Sequence, residues 1–581
     1  MKHLLAIAVG PVQEFIAAAR RTRDLWFGSY LLSEISREVA KAVKDSRGQL
    51  VFPQSLDAEN VANIILAEIE SDDPAGVAAK AKEAAKQRWR QFADDALAEA
   101  KTDNSVVRED VWNSQVDDVI EFYAAWVKAT DDYADDRARV MRMLAGRKNC
   151  RDFSAAAGND GGLPKSSLDG QRETVLYPQA DWRNRFRARL RVRDGEQLDV
   201  VAFVKRLGVK RLGDGNYPYP SVSRIAADPW LRGNSNRLDE VKAACEKLIS
   251  EGLLHKIDEN LFPEFSDFPY EGTSVYATRL GELLEETVDP NARELEKKKL
   301  KPLQYALASM RSEPDPYLAI LVADGDKMGA ALSQLKTAEE NRDFSRDLAG
   351  FASQARSIIR SHNGVLIYAG GDDVMAFLPV DKCLDCSRKL HDCFGVTMQR
   401  YAHDGESPTL STGIAIAHFM ENLEDLLEFG RAAEKSSKLP DRNGLAIHLH
   451  KRGGAPIHIR DQWTAKIDER LIRYAELLRA EAIPRKLPYE LRGLFQIYQN
   501  WPRESVSSAL RQDVLRIIRD KQPRGGKQFL GEIETMVQSQ LTDVNSLRKF
   551  ANELLVAKQI ALAMEQAKET VVMPKLVEVV Q

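Results

Sequence analysis

Two acidic clusters stand directly after short apolar runs in the second half of the 581-residue chain. Asp324-Gly325-Asp326 follows YLAILVA, and Gly370-Gly371-Asp372-Asp373 lies between VLIYA and VMAFL. Carboxylates that converge repel one another, so their pKa values rise unless cations neutralise them. Mg²⁺ or Mn²⁺ accepts oxygen ligands of this type together with phosphate oxygens. The pattern therefore indicates two-metal phosphoryl transfer, with four candidate metal ligands: Asp324, Asp326, Asp372 and Asp373.

Turn chemistry offers a structural alternative for both clusters. Gly-Gly-Asp-Asp suits the tip of a β-hairpin, and Asp-Gly-Asp suits a turn. The occurrence of both motifs, each directly after an apolar strand, favours metal binding over this alternative. Gly370 and Gly371 would let the backbone approach a nucleotide, because they carry no side chain. Lys438, near a predicted helix end, could reach a triphosphate or simply complement the helix dipole.

The elements that must position these residues follow a regular order between Tyr317 and Lys451. Hydrophobic spacing and turn signals predict a β-α-β-β-α-β-α-β sequence. The predicted strands are Tyr317–Ala323, Val365–Ala369, Val374–Leu378, Pro408–His418 and Gly444–His450. The first six elements give a ferredoxin-like split βαβ arrangement, an antiparallel sheet backed by helices. Its central strands would bring both acidic clusters to one edge of the sheet.

The N-terminal run Leu5–Val9 resembles Leu318–Val322, and a turn and a long helix follow each run. Alignment of Leu5 with Leu318 sets Pro11 opposite Asp324, and no GGDD occurs in the first half. We therefore predict two related domains, of which only the second carries catalytic carboxylates. A chance likeness between two strands is the alternative.

Composition places the chain among globular proteins of three or four domains. The formal net charge is −4, and there are five cysteines, too few for a disulfide framework. The first apolar run, Leu4–Val9, is too short for a signal peptide, and no run of about 18 apolar residues occurs. We expect a cytoplasmic protein with no membrane partner.

After Gly453-Gly454 we predict helix to the end of the chain, with dense lysine and arginine from Lys451 to Lys527. Such a basic stripe could contact RNA phosphates. A solvated helix surface or a subunit interface would have the same composition.

Zinc is not expected at the cysteines of the second half, despite their spacing. On a helix, Cys383, Cys386 and Cys393 share one face with Phe394, whereas His391 points elsewhere. Buried cysteines of this kind behave as small apolar residues.

A known family shares several strings with this chain. These are GPVQEFI (10–16), ARRTRDLWFGSYLLS (19–33), DGDKMG (324–329), GGDD (370–373), STG (411–413) and AAEKSSK (432–438). The chain resembles the large palm-domain subunit of type III CRISPR effector complexes, in the Cmr-type (III-B) form.

The resemblance implies an α+β fold with two ferredoxin-like, nucleotide-cyclase-like palm domains and two helical domains. The expected divisions are a first palm with a helical insertion at 1–215, a helical domain at 216–312, the GGDD palm at 313–455 and a C-terminal helical domain at 456–581.

The resemblance also implies an activity. Such subunits bind ATP between the palms and join it into cyclic oligoadenylates once guide RNA has paired with target RNA. Asp324, Asp372 and Asp373 would be the catalytic residues and hold Mg²⁺ or Mn²⁺, with Asp326 a further metal ligand. Nucleotide contacts would come from Gly325, Gly370, Gly371, Ser411 and Lys438. The other Cmr-type subunits would be partners.

Two departures from the family pattern matter. The only His-Asp pairs, His391-Asp392 and His403-Asp404, lie inside the second palm, so an HD nuclease activity is not supported. The four-cysteine zinc site between the palms is represented only by Cys150 and Cys245. A free-standing nucleotide cyclase and a non-catalytic RNA-binding scaffold are the alternative functions.

Overall fold

A computed structural model describes most of the chain, and its sheets and helices form an α+β fold. The described residues are 1–57, 61–100, 106–150, 162–178, 192, 195–208, 219–284, 290–501, 503–521 and 528–569. The predicted fold class is confirmed. None of the described helices combines the length and the apolar content that a membrane crossing needs.

The first sheet has four antiparallel strands in the order β2-β3-β1-β4, which is the ferredoxin-like order. Its strands are β1 (Lys2–Gly10), β2 (Gly48–Phe52), β3 (Ile64–Glu70) and β4 (Glu121–Lys128). The helices of this part are α1 (Gln13–Ala17), α2 (Thr22–Asp45), α3 (Pro74–Ala100), α4 (Glu109–Val116) and α5 (Tyr133–Asn149). Helices α2 and α3 cover one face of β1, and α5 covers the other.

Five further described helices connect the two sheets. They are α6 (Val200–Gly208), α7 (Val222–Gly233), α8 (Asp239–Ser250), α9 (Pro290–Lys299) and α10 (Lys301–Met310). A buried charge network joins α7 to the second sheet region. Asp228 accepts hydrogen bonds from Arg224 at 3.1 Å and from Arg232 at 2.7 Å, and Arg232 also pairs with Asp381 at 2.6 Å.

The second sheet has six strands in the order β10-β9-β8-β5-β7-β6. Its strands are β5 (Tyr317–Asp326), β6 (Val365–Ala369), β7 (Val374–Leu378), β8 (Thr409–His418), β9 (Gly444–Leu449) and β10 (Ile457–Gln462). Neighbours are antiparallel except β8 and β9. The helices are α11 (Met328–Ser333), α12 (Ala338–Ser361), α13 (Cys383–Met398) and α14 (Leu423–Ser437).

Helix α14 lies very close to the centre of this sheet, on the face opposite α12 and α13. A Cβ atom on Gly430 of α14 would lie 2.8 Å from Ile320 Cγ2. A Cβ on Gly413 of β8 would lie 2.0 Å from the backbone nitrogen of Glu434. These two glycines let helix and sheet backbones approach, which brings the C-terminal end of α14 to the acidic edge.

The structure corrects the alignment of the two palms. The residues of β1 that face helices α2 and α3 have odd numbers, Leu5 to Val9, because Leu4, Ala6 and Ala8 pack with α5. The residues of β5 that pack with α12 and α13 are also odd, Ala319 to Ala323. Pairing Leu5 with Leu318 would match a residue that faces the helices in the first palm with one that faces away from the corresponding helices in the second. The alignment of the two palms is therefore out of register by an odd number of residues.

The prediction of helix after Gly453-Gly454 is wrong for the first few residues. Ile457–Gln462 forms β10, which pairs antiparallel with β9 along its whole length. Ile457 and Ile459 are buried while His458 is exposed, so the alternation typical of a strand is present but very short.

Five described helices follow β10. They are α15 (Ile467–Arg479), α16 (Leu487–Tyr498), α17 (Arg503–Lys521), α18 (Leu530–Gln540) and α19 (Val544–Gln566).

Many of the arginines of the predicted basic stripe form ion pairs within these helices. The pairs include Arg470–Glu553, Arg473–Glu532, Arg485–Glu565 and Arg519–Glu534. The charge of the stripe is therefore largely offset by acids distant in the sequence, and its interpretation as an RNA-binding surface loses support. Residues 522–527 of the stripe lie outside the described residues.

Candidate active site

Three strands bring the acidic clusters to one edge of the second sheet. Asp324 of β5 pairs in register with Ser411 of β8. On the other side of β5, Ala323 pairs with Val374, the first residue after the GGDD turn. Asp324 and the two turn aspartates therefore lie side by side, as expected from the order of the elements.

The GGDD segment forms a tight turn between β6 and β7, closed by a 3.0 Å hydrogen bond from Gly370 N to Asp373 O. Gly371 has φ +91°, a conformation that other residues rarely adopt. A Cβ atom on Gly370 would lie 1.6 Å from the hydroxyl oxygen of Tyr368. Both glycines thus meet a requirement of the turn itself, whether or not a nucleotide binds there.

Gly325 makes room for one of the catalytic candidates. A Cβ on Gly325 would lie 2.8 Å from Asp372 Cβ and 2.9 Å from Met328 Cγ. The glycine between the first two aspartates therefore allows Asp372 to pack directly against β5.

Lys438 follows the last residue of α14 and reaches the acidic edge. Its ammonium donates a hydrogen bond to Asp324 Oδ2 and lies 2.7 Å from Glu434 Oε1. Burial acts to lower the pKa of Lys438, but hydrogen bonds to these two carboxylates outweigh it and raise that pKa above its ordinary value. Lys438 is therefore a charged partner of the acidic cluster.

Proximity shifts the pKa values of the carboxylates in different directions. Burial, followed by the negative charge of Asp324, raises the pKa of Asp372 to about 6. Burial and a hydrogen bond with Asp324 raise the pKa of Asp373. Burial also acts to raise the pKa of Asp324, but hydrogen bonds with Asp373 and Lys438 hold it below its ordinary value. Asp324 and Asp373 therefore share a proton.

Asp326 lies apart from this cluster in a closed environment. Its side chain is fully buried and accepts four hydrogen bonds, from Thr409, Ser411, Arg442 and the backbone nitrogen of Asn443, at 2.7 to 3.3 Å. Ser411, predicted to contact nucleotide, is itself fully buried and donates to Asp326. Both side chains are engaged in supporting β5, β8 and the start of β9.

The open carboxylates fit hard divalent cations. Asp324, Asp372 and Asp373 offer several oxygens in one place, and burial together with the neighbouring carboxylates raises the pKa values of Asp372 and Asp373, which nearby cations would lower again. Mg²⁺ and Mn²⁺ prefer such oxygen ligands. These three residues, more than Asp326, have the chemistry to hold them.

Sequence reasoning did not single out Glu434, Tyr368 or Arg442. The spacing of Glu434 and Lys438, four residues apart on one helix, was a usable signal for the first. Tyr368, whose hydroxyl occupies the space above Gly370, lies near the charges of Asp372 and Asp373. Arg442 reaches Asp326 from a loop 116 positions away, which no local pattern indicates.

Two family models match this chain. The model for the Cas10/Cmr2 second palm domain matches residues 317–446, and the model for the N-terminal part of the CRISPR-associated protein Cmr2 matches residues 4–59. The first covers β5 to β8, the start of β9 and the acidic edge described above.

Individual proteins are similar over most of the chain. The Cmr2 subunit of the CRISPR Cmr system of Pyrococcus furiosus is 25% identical over 651 aligned positions, which cover 92% of this chain and 72% of that protein. A cryo-EM structure of apo type III-B Cmr-beta covers 88% of this chain and 77% of its own, at TM-score 0.58 and 15% identity. A cryo-EM structure of type III-B Cmr-beta bound to cognate target RNA covers 90% of this chain and 79% of its own, at TM-score 0.61 and 14% identity.

The fold is that of a two-palm protein, and its second palm matches the Cas10/Cmr2 family model. The two family models and the Pyrococcus furiosus relative together support a Cmr2-type subunit of a type III-B system, in agreement with the resemblance in the sequence.

Proposed function

We propose that this chain polymerises ATP into cyclic oligoadenylates within an RNA-guided Cmr-type effector complex, when the complex binds target RNA. The observation that carries the proposal is the convergence of Asp324, Asp372 and Asp373 with Lys438 at the edge of the second palm.

The proposed reaction forms a bond between a ribose 3′-oxygen and the α-phosphorus of the next ATP. The bond from that phosphorus to the bridging oxygen breaks, and pyrophosphate leaves. Mg²⁺ or Mn²⁺ would lower the pKa of the attacking hydroxyl and neutralise charge on the leaving group.

The residues of the chain would divide the remaining tasks. Asp324, Asp372 and Asp373 would hold the cations, once the proton shared by Asp324 and Asp373 has left. Lys438 would bind phosphate oxygens as a point charge. The turn glycines would let the nucleotide approach the backbone at Gly370 and Gly371.

The Cmr2-type assignment supports the partners in this proposal. Cmr-beta, to which the chain is similar in fold, has been seen with cognate target RNA. We infer that guide RNA, target RNA and other Cmr-type subunits bind this chain too. The first palm would serve as a partner surface for ATP.

The test is to assemble the full chain with its complex subunits and guide RNA, and then add ATP, Mg²⁺ or Mn²⁺, and matched target RNA. Mass spectrometry of the products should show cyclic oligoadenylates. The double variant Asp372→Ala/Asp373→Ala should lose at least about 100-fold in rate, because its cation site is gone.

A matched control is Asp392→Asn, an exposed carboxylate on α13 away from the acidic edge, which should keep full activity. A wild-type complex that binds target RNA but makes no ATP-derived product would leave the non-catalytic scaffold as the better interpretation. Undiminished product from the double variant would refute the site.

A further inference from the structure

Three histidines meet on the β9–β10 hairpin, at the edge of the second sheet. His448 and His450 flank Leu449 at the end of β9, and His458 of β10 pairs in register with His448. Because alternate strand residues share a face, all three imidazoles lie on the side of the sheet that α14 covers. Their ligand nitrogens all lie within 4.8 Å of one another.

The rings form a compact, organised group. His448 and His458 stack with centroids 3.9 Å apart, and His450 stacks on Phe429 of α14 at 3.8 Å. His448 is buried, His450 is half-buried and His458 is exposed. A solvated access route therefore leads to a site whose other two members are held by packing.

One nitrogen in this group lacks a partner. His450 Nε2 is buried and accepts or donates no hydrogen bond to any described residue. A buried polar atom in that state costs free energy, which a bound ion would recover.

We propose that His448, His450 and His458 form a binding site for Zn²⁺ that fastens the β9–β10 hairpin. Imidazole nitrogens bind zinc at about 2.0–2.1 Å, which places tetrahedral ligands roughly 3.4 Å apart. The three nitrogens lie within 4.8 Å of one another, and rotation of the imidazole rings would have to bring them to that distance. Since His458 is exposed, water could supply a fourth ligand.

This site is separate from the acidic edge. The strand β9 starts at Gly444, next to Ser411, and its histidines lie four and six residues further, roughly 13 and 20 Å along the strand. The carbonyl of His458 also accepts a 3.5 Å hydrogen bond from Asn552 of α19. Zinc would thus stabilise the connection between the second palm and the C-terminal helices.

The test uses the full chain without a polyhistidine tag, stripped of metal and then supplied with excess Mg²⁺ to occupy the carboxylates. Zn²⁺ is titrated by calorimetry, and Co²⁺ absorption reports on nitrogen ligation. Wild type should bind one more Zn²⁺ per chain than His448→Asn/His458→Asn, and its melting temperature should rise with zinc. The single variant His458→Ala should bind Zn²⁺ at least about tenfold more weakly than wild type.

The matched control is His403→Asn, a histidine whose side chain is 45% exposed in a turn away from the cluster. It should bind Zn²⁺ as wild type does. Equal zinc uptake and equal shifts of the melting temperature in wild type and the double variant would overturn the proposal. The three histidines would then be ring-stacking residues at the edge of the sheet. If the double variant does not fold, His458→Ala decides by the same readouts.

Discussion

At the residue scale, the acidic edge combines one carboxylate held ionised with two whose pKa values are raised. Lys438 and Asp373 stabilise the charge of Asp324, whereas Asp372 and Asp373 have too little compensation. Such opposed shifts are typical of functional sites, because a structural carboxylate is normally satisfied as Asp326 is.

Metal binding should release protons. At pH 7 the Asp324–Asp373 pair holds a proton that a cation must displace, so we expect about one proton released per chain on saturation with Mn²⁺. Calorimetry in two buffers with different ionisation enthalpies measures this number. It should fall toward zero in Asp373→Asn and stay unchanged in Asp392→Asn. Identical apparent enthalpies for wild type in both buffers would contradict the shared proton.

Removing a repelling carboxylate should stabilise the metal-free fold. The pKa of Asp372 is raised to about 6 in the folded chain, so its ionisation destabilises the fold as pH rises through that value. Asp372→Asn should gain about 1–2 kcal/mol at pH 8 in a chelator, and almost nothing at about pH 3, below the unfolded pKa, where Asp372 is mostly protonated in both the folded and the unfolded chain. Urea unfolding at the two pH values measures the difference. A variant less stable than wild type at pH 8 would speak against repulsion.

At the element scale, glycines determine how closely the strands and helices of the second palm approach. Because these glycines have no side chain, Asp372 can pack against Gly325, the backbone of α14 against Gly413, and the Tyr368 hydroxyl against Gly370. Each of these glycines leaves room for a neighbouring side chain or for the helix backbone near the acidic edge. Their role can be tested separately from the chemistry of the carboxylates.

Gly325→Ala should disturb the site without removing any functional group. The new Cβ would overlap Asp372 Cβ and Met328 Cγ, so we expect a stability loss of about 1–3 kcal/mol and at least a tenfold fall in the proposed oligoadenylate synthesis. Gly329→Ala is the matched control, since its Cβ would meet nothing within 4 Å and alanine favours helix α11. Equal activity of the two variants would show that Asp372 needs no space from Gly325.

At the scale of the whole molecule, the two palms are joined through helix α12. Arg342 pairs with Glu68 of β3 at 2.7 Å and donates to the carbonyl of Leu50 at 3.0 Å. Gln54 N donates to Ser345 Oγ at 2.9 Å, and Asn341 donates to the Tyr133 hydroxyl at 3.0 Å. The helix that supports the acidic edge thus also contacts the first sheet.

Arg342→Ala should therefore weaken the whole molecule more than an exposed change on the same helix. The Arg342 side chain is 17% exposed and its partner Glu68 is 14% exposed, so we expect a loss of about 1–3 kcal/mol. Arg346→Ala, at a side chain that is 55% exposed and pairs with Asp343 one helix turn away, should stay within about 0.5 kcal/mol. Thermal unfolding compares the two, and equal losses would exclude a special role for the palm contact.

Much of the second palm was predictable because local patterns encode it. Apolar runs broken by Asn363-Gly364 and by the GGDD turn indicate β6 and β7, and their observed limits are those expected. The short β10 was missed, since six residues with two isoleucines give little periodicity. Its histidines consequently went unnoticed as a cluster.

The sequence by itself determined the strands, the turn and the presence of acids at strand ends, because these depend on spacing and on neighbours in the chain. Tertiary structure decided which acids stay open. Asp326 is closed off by Thr409, Ser411 and Asn443, which lie 83 to 117 positions away. The same long-range pairing neutralises arginines of the basic stripe. Partners so distant leave no periodic trace, so only folding shows which charges remain available.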